Sequence, residues 1–149
     1  MKTAREILIA PCGMDCAICA QYLALQNEVK KRRIKIPYCT GCRIRGKNCA
    51  FIIKHCALLR QGKVKYCFEC NKFPCRRLKV LDQRYRKRFR MSMIENNEVM
   101  KKHGIKKFLA SQKKRWTCPD CASMICCHNG LCFNCDIEKL KKKQNKYEW

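Results

Sequence analysis

The sequence predicts a small, metal-stabilised protein that is mostly α-helical, with irregular cysteine-rich loops and a short β-hairpin zinc ribbon near its C-terminus. Three observations lead to this fold class. The 149 residues include 16 cysteines, a density typical of disulfide scaffolds and metalloproteins. Several cysteines are paired as C-x2-C, the spacing of metal-binding turns. Apolar residues at helical spacing follow several of the cysteine groups.

The N-terminus favours a cytoplasmic protein whose thiols are reduced. The apolar run Ile7–Ala10 ends at Pro11 and is shorter than the core of a signal peptide, which needs about 7–15 residues. No run of about 18 apolar residues is present, so we expect no membrane-spanning segment. Since cytosolic thiols stay reduced, the cysteines are predicted to bind metal ions rather than to form disulfides.

The first cysteine group is Cys12, Cys16 and Cys19, with C-x3-C-x2-C spacing. Asp15 is a suitable N-cap, and the apolar periodicity that follows predicts a helix from about residue 16 to residue 33. The last two thiols would then lie at a helix N-terminus, where the positive end of the helix dipole stabilises thiolates. We interpret this group as metal ligands that need a fourth thiol from downstream.

Seven more cysteines follow before residue 80. The pattern predicts a helix from about Cys49 to Arg60, ended by Gly62, and another that begins with Pro74 at its first position. Ligands seven residues apart on a helix are separated by about 10 Å along its axis, so Cys49 and Cys56 are predicted to serve different metal sites. The candidate ligands of this region are Cys39, Cys42, Cys49, Cys56, Cys67, Cys70 and Cys75.

The spacing alone does not determine which of these cysteines bind the same metal. One arrangement closes the first group with Cys56 or Cys75. A second site would then contain Cys39, Cys42 and Cys49, and Cys67 or Cys70 would complete it. Either Zn²⁺ or a [4Fe-4S] cluster is compatible with ten cysteines in this region.

The C-terminal module carries the most specific metal signal. Two C-x2-C pairs enclose ten residues, and Asn129-Gly130 between them is typical of a β-hairpin turn. Zinc knuckles usually have a glycine after the second cysteine, whereas Ala122 and Asp136 stand there in this chain. The predicted Zn²⁺ ligands are Cys118, Cys121, Cys132 and Cys135. Cys126 and His128, two apart on a predicted strand and facing the same side, are an alternative ligand pair.

The helix predicted after Cys75 has an apolar stripe and a strongly basic opposite face. The formal net charge is +24, and three Zn(Cys)4 sites would leave about +18. Such a charge favours nucleic acid or another polyanion as a partner, and a protein partner is the other expectation. A solvated helix face explains the same pattern. The candidate nucleic-acid-binding residues are Arg76, Arg77, Arg84, Arg86, Lys87, Arg88 and Arg90.

Four segments are expected along the chain. Residues 1–80 form a cysteine-rich metal-binding domain, and residues 81–115 form a basic helical segment packed on it. Residues 116–138 form the zinc ribbon. Residues 139–149 form a lysine-rich tail that is expected to fray.

The combined motifs resemble a known family. They include Pro11-Cys12-Gly13-x-Asp15, Phe73-Pro74-Cys75, Arg84-Tyr85-Arg86 and Trp116-x-Cys118-Pro119-x-Cys121. These residues are similar to those of the cysteine-rich bacterial and archaeal proteins of domain-of-unknown-function family 3795, in the form with a C-terminal zinc ribbon. The resemblance covers nearly the whole chain and implies metal binding. It implies no reaction or substrate, and the basic charge is not part of it.

Two functions are compatible with these observations. The first is a zinc-binding, cysteine-rich protein that acts as a binding or adaptor module, in which the basic helix contacts nucleic acid. The second is an iron–sulfur protein that transfers electrons or carries a cluster. Radical enzymes share the C-x3-C-x2-C spacing, but the strand–helix repeats of their barrel are absent from this sequence. Thiol exchange is disfavoured because no βαβ pattern surrounds the C-x2-C pairs. The chain is therefore expected not to be an enzyme, and no catalytic residue is predicted.

Overall fold

The computed structural model describes residues 4–45 and 52–149, so the predicted ligand Cys49 lies outside the described residues. Within them the fold is mostly helical, as predicted. Extended pairing in the described part consists of isolated antiparallel bridges that join Ile9 to Asp15, Thr117 to Met124 and Ile125 to Cys132. The α-helices are α1 (Ala4–Ile7), α2 (Ala20–Gln26), α3 (Cys42–Arg45), α4 (Ile52–His55), α5 (Ala57–Arg60), α6 (Arg76–Arg88), α7 (Met93–His103), α8 (Ile105–Trp116) and α9 (Ile137–Lys142). Short 3-10 helices span Cys16–Ile18, Val29–Arg32 and Cys67–Glu69.

The continuous helix predicted over residues 16–33 is wrong. Asp15 caps the 3-10 helix as expected, and its carboxylate accepts the Ala17 N–H at 3.0 Å. Cys19 then adopts an extended conformation with φ −75° and ψ 137°, and α2 begins after it. Glu28 is left-handed, with φ 47°. The apolar stripe is therefore divided among three short elements, because a tight turn at the cysteines replaces the first helical turn.

The helix predicted to end at Arg60 is also interrupted, since Cys56 is extended between α4 and α5. Its C-terminal end agrees with the sequence. Gly62 has φ +69°, and the Lys63 N–H donates to the Leu58 carbonyl at 2.9 Å. This is the glycine-terminated helix end that the sequence predicts.

The helices α6, α7 and α8 pack in chain order and cover the cysteine-rich segments. As predicted, Leu78, Leu81 and Phe89 form the buried side of α6. Pro74 precedes the N-cap Cys75 rather than occupying the first helical position. Ser92 caps α7, and its hydroxyl accepts the Glu95 N–H at 3.0 Å.

Buried residues from both ends of the chain share the same core. Cys12, Leu78 and Trp116 belong to one apolar cluster that also contains Cys127. The Cys127 N–H donates to the Ile18 carbonyl at 2.9 Å. The C-terminal module therefore packs directly against the first cysteine group, and contacts cross the four predicted segments.

The lysine-rich tail is docked instead of frayed. Leu140 of α9 is fully buried, and the Trp149 indole N–H donates to the Cys127 carbonyl at 3.0 Å. The Asn129 side chain donates to the Lys146 carbonyl at 2.9 Å. The lysine content of the tail predicts fraying, but the apolar residues and hydrogen bonds of the tail hold it against the rest of the fold. Among the described helices, none has the length and apolar character needed to cross a membrane.

Candidate metal centres and a thiol-lined cavity

Four C-terminal thiols converge on one point, as the sequence predicts. The Sγ atoms of Cys118, Cys121, Cys132 and Cys135 all lie within 4.8 Å of one another. The Cys121 and Cys132 sulfurs are 3.5 Å apart, and those of Cys118 and Cys135 are 4.0 Å apart. A tetrahedron with metal–sulfur bonds of about 2.3 Å has edges of about 3.8 Å. This four-cysteine group can therefore hold one metal ion.

Tight turns place the four sulfurs. The Ala122 N–H donates to the Cys118 carbonyl at 2.9 Å, and the Cys135 N–H donates to the Cys132 sulfur at 3.4 Å. The Asp136 carboxylate accepts the Cys132 N–H at 3.0 Å. Ala122 has φ 63°, the left-handed conformation for which these turns usually use glycine. Ala122, which stands where glycine is usual, therefore keeps the usual turn at the cost of a strained backbone conformation.

Hydrogen bonding within the four-cysteine group favours one thiolate. Hydrogen bonds from Ser123 and Asn134 lower the pKa of Cys121 to about 6. The hydrogen bond to Cys121, followed by burial, raises the pKa of Cys135. A divalent cation would release the remaining protons, so its affinity must rise with pH.

The alternative ligands Cys126 and His128 lie apart from this group. Cys126 is buried in an apolar cluster with Phe133 and Leu140. His128 Nδ1 accepts the Ala20 N–H at 3.2 Å, and its Nε2 lies 3.3 Å from the Tyr85 hydroxyl. Burial and the positive charge of Arg88 lower the pKa of His128 to about 4. Both ring nitrogens are therefore engaged by the protein, which holds a neutral imidazole in place.

The first cysteine group lines a cavity of about 380 Å³. Cys39 and Cys42 line the same cavity, and the Cys42 N–H donates to the Cys16 sulfur at 3.5 Å. The Gly41 N–H donates to the Cys39 sulfur at 3.4 Å. Backbone donors to sulfur stabilise thiolates, as at metal-bound turns. The structure thus brings Cys42 to the first group, whereas the sequence interpretation placed it in a second site.

The other four described N-terminal cysteines surround a separate small cavity. Cys56, Cys67, Cys70 and Cys75 line about 40 Å³ of mostly apolar space. The Lys72 N–H donates to the Cys70 sulfur at 3.4 Å. This group adjoins the first one, since the Cys67 N–H donates to the Pro11 carbonyl at 2.9 Å, and closure of the first group by Cys56 or Cys75 stays a prediction.

The N-terminal thiols are spread more widely than those of the C-terminal group. Within residues 4–45 and 52–149, no three of them have sulfur atoms within 4.8 Å of one another. Burial raises the pKa of both Cys12 and Cys19 to about 12. These two thiols are neutral without a metal, and a metal that binds them must displace their protons.

The basic face of α6 is exposed along its whole length, as predicted. Its charges are not equivalent. Arg86 is paired with Asp82 at 2.7 Å and with Glu95 at 3.4 Å, and Arg90 lies over the Trp149 ring at 4.1 Å. Arg84 and Arg88 line the thiol-lined cavity. The remaining predicted residues of this face are Arg76, Arg77 and Lys87.

Sequence reasoning missed the polar and aromatic residues that complete the cavity. Tyr22, Tyr85, Tyr147 and Gln21 line it together with the thiols. They come from distant parts of the chain, and of the four only Tyr85 belongs to a motif of the family resemblance. Nothing in the sequence indicated that the four side chains lie together.

Comparison with known proteins adds one result. Residues 8–80 match a family described as "Protein of unknown function (DUF3795)". A search of curated proteins gave no significant match, and a search of solved structures gave none either.

Proposed function

We propose that this protein, whose residues 8–80 belong to the DUF3795 family, is a zinc-binding, cysteine-rich binding module of the cytoplasm. One Zn²⁺ would bind Cys118, Cys121, Cys132 and Cys135 and hold the two turns of the C-terminal module together. The observation that carries this proposal is the convergence of these four sulfurs within 4.8 Å. Metal binding to such a site contributes directly to folding.

Elemental analysis of the full chain, purified without oxygen, tests the zinc assignment. The double variant Cys118→Ser, Cys135→Ser should lose about one zinc per chain relative to the parent protein. Cys127→Ala is the matched control, since Cys127 is a fully buried cysteine outside the four-cysteine group. Equal zinc in the parent and the double variant would overturn the assignment.

The basic face of α6 supports nucleic acid as the partner of this module. Arg76 and Arg77 are exposed and form no ion pair with the described carboxylates. Replacing both with glutamate should weaken binding to a DNA or RNA duplex and reduce the dependence of log K on log salt concentration. The control is Lys141→Glu, Lys142→Glu, which makes the same change of charge on α9. If both variants lose the same affinity, binding follows net charge, and α6 is not the interface.

The second candidate is an iron–sulfur protein, and a specific observation favours it. The thiols around the 380 Å³ cavity are spaced too widely for a single zinc ion, whereas four thiolates hold a [4Fe-4S] cluster at its outer corners. Such a cluster would supply one-electron transfer or be passed to another protein. Cys12, Cys16, Cys19 and Cys42 would be its ligands, and Cys39 borders the same space.

Colour and metal content separate the two candidates. An anaerobic preparation with a cluster should be brown and contain about four iron atoms per chain. Cys16→Ser should remove the iron and leave the zinc of the C-terminal group in place. Zinc alone, at two or three atoms per colourless chain, would exclude the cluster.

A further inference from the structure

The thiol-lined cavity has an aromatic and cationic side that metal binding does not explain. The same cavity is lined by Tyr22, Tyr85, Phe89 and Tyr147. Its volume of about 380 Å³ lies in the range of small-molecule sites, which are mostly apolar and carry a few polar groups that fix the ligand.

Two arginines supply the positive charge of this cavity. Arg84 and Arg88 are four residues apart on α6, so their side chains lie one above the other on one face. Both line the cavity. Neither forms an ion pair with a carboxylate of residues 4–45 or 52–149. Two neighbouring guanidinium groups without a carboxylate partner favour an anion, since arginine binds carboxylates and phosphates through paired N–H donors.

A third donor lies between the arginines in sequence. Because His128 Nδ1 accepts the Ala20 N–H, the neutral ring carries its proton on Nε2 and donates it to the Tyr85 oxygen at 3.3 Å. The hydroxyl proton of Tyr85 is then available to an acceptor in the cavity.

The C-terminal tail completes the wall. The Gln21 side chain donates to the Tyr147 hydroxyl at 3.3 Å, and the Tyr147 ring packs against His128 at a centroid distance of 5.7 Å. Asn145 lines the cavity beside them. The tail thus helps to line a cavity that contains both thiols and hydrogen-bond donors.

We propose that this cavity binds a small organic anion with an apolar body, its anionic group held by Arg84, Arg88 and the Tyr85 hydroxyl. The apolar body packs against Tyr22 and Phe89, which line the same cavity. The inference requires the cavity and its donors, and it is independent of nucleic-acid binding. It is an alternative to the iron–sulfur candidate, because a cluster on these thiols would occupy the same space.

Paired probes of equal size test the proposal on the metal-loaded full chain. Calorimetry should show 1-naphthoate binding at least about tenfold more tightly than the neutral 1-naphthylmethanol, as expected for a charge-assisted site. Arg84→Gln, Arg88→Gln should abolish this difference. Tyr85→Phe should weaken naphthoate binding and leave the alcohol unchanged. Lys106→Gln, Lys107→Gln, at exposed positions of α8, is the matched control and should behave like the parent protein.

Metal content is measured in every variant, because the arginines could instead balance the charge of a metal–thiolate centre. The variant Arg84→Gln, Arg88→Gln could lose metal and still discriminate between the probes. That result would show that the arginines balance the charge of the metal centre, and it would overturn the proposal. Equal binding of the two probes by the parent protein would overturn it as well. So would an equal loss of discrimination in Arg84→Gln, Arg88→Gln and in the lysine control. None of these results bears on zinc in the C-terminal group, which the serine variants test separately.

Discussion

The side-chain amide of Asn97 donates to the carbonyl oxygen of Cys12 at 2.8 Å. The same amide nitrogen donates to the Met93 carbonyl at 2.9 Å, and the Asn97 oxygen accepts the Phe68 N–H at 3.1 Å. Asn97 is fully buried. One side chain on α7 therefore fixes the backbone of the first cysteine group and that of the Cys67–Glu69 turn. A helix without any cysteine holds the thiol-bearing loops in register.

Replacing Asn97 with alanine should lower the free energy of unfolding by about 2–4 kcal/mol, because it leaves buried backbone groups of Cys12 and Phe68 without partners. Thermal unfolding of the metal-loaded protein measures this. Gln83→Ala, at an exposed position of α6, is the control and should change stability by less than about 0.5 kcal/mol. Similar losses in both variants would show that the Asn97 network contributes little.

Gly13→Ala should be more destabilising than Gly104→Ala. Both glycines have positive φ, +97° and +86°, so both variants acquire backbone strain of about 1 kcal/mol. A Cβ at Gly13 would also lie 2.7 Å from Asn97 Nδ2 and 3.0 Å from the Met93 carbonyl, whereas one at Gly104 would meet nothing within 4 Å. The clash should add about 1–3 kcal/mol. Chemical denaturation of the two variants compares them, and equal losses would contradict the close packing at Gly13.

Ala122→Gly should stabilise the metal-loaded protein by about 1 kcal/mol, because glycine adopts the left-handed conformation of residue 122 without strain. The control is Ala110→Gly in the middle of α8, which should destabilise by about 1 kcal/mol. Opposite signs for the two changes, read from melting temperatures, would verify the strained turn. A loss of stability in both would refute it.

Trp149→Ala should destabilise the protein by about 1–3 kcal/mol. The indole donates to the Cys127 carbonyl, packs against Trp116 at 6.3 Å and lies under the Arg90 guanidinium. Trp149→Phe keeps the ring packing without the N–H donor and should lose roughly half as much. A frayed tail, as the lysine pattern suggests, would instead make both variants equal to the parent protein. Denaturant unfolding distinguishes the two cases.

Chelation should loosen the C-terminal module before the rest of the fold. Without metal, the two turns of the four-cysteine group lose the bonds that join them and keep only backbone hydrogen bonds and the apolar contacts around Cys126, whereas α6 to α8 keep a larger apolar core. Limited proteolysis after treatment with a zinc chelator should therefore cut first between residues 117 and 136. Added Zn²⁺ should restore resistance. Cleavage that begins in α6 or α7 would contradict this order.

The spacing of the cysteines is sufficient to predict a metal site where its ligands are close in sequence. The two C-x2-C pairs around residues 118–135 form one group because each pair is a single tight turn, and ten residues are enough to return the chain. The apolar side of α6, the glycine end of α5 and the Asp15 cap were predictable for the same reason. Each depends on neighbours within a few residues.

The tertiary structure decides which N-terminal thiols lie together. Cys42 joins the group of Cys16, 26 residues away, through a backbone hydrogen bond that spacing cannot reveal. The continuous helix after Cys16 failed because the conformation required at Cys19 outweighs the apolar periodicity.

Residue types and spacing by themselves determined that this is a helical, cysteine-rich protein able to bind metal, because those properties follow from composition and short-range geometry. The tertiary structure alone decided which thiols share a cavity, that Arg84 and Arg88 line it, and that the tail helps to line it. Those relationships join residues from the N-terminus, α6 and the C-terminus. They arise only when distant segments pack together.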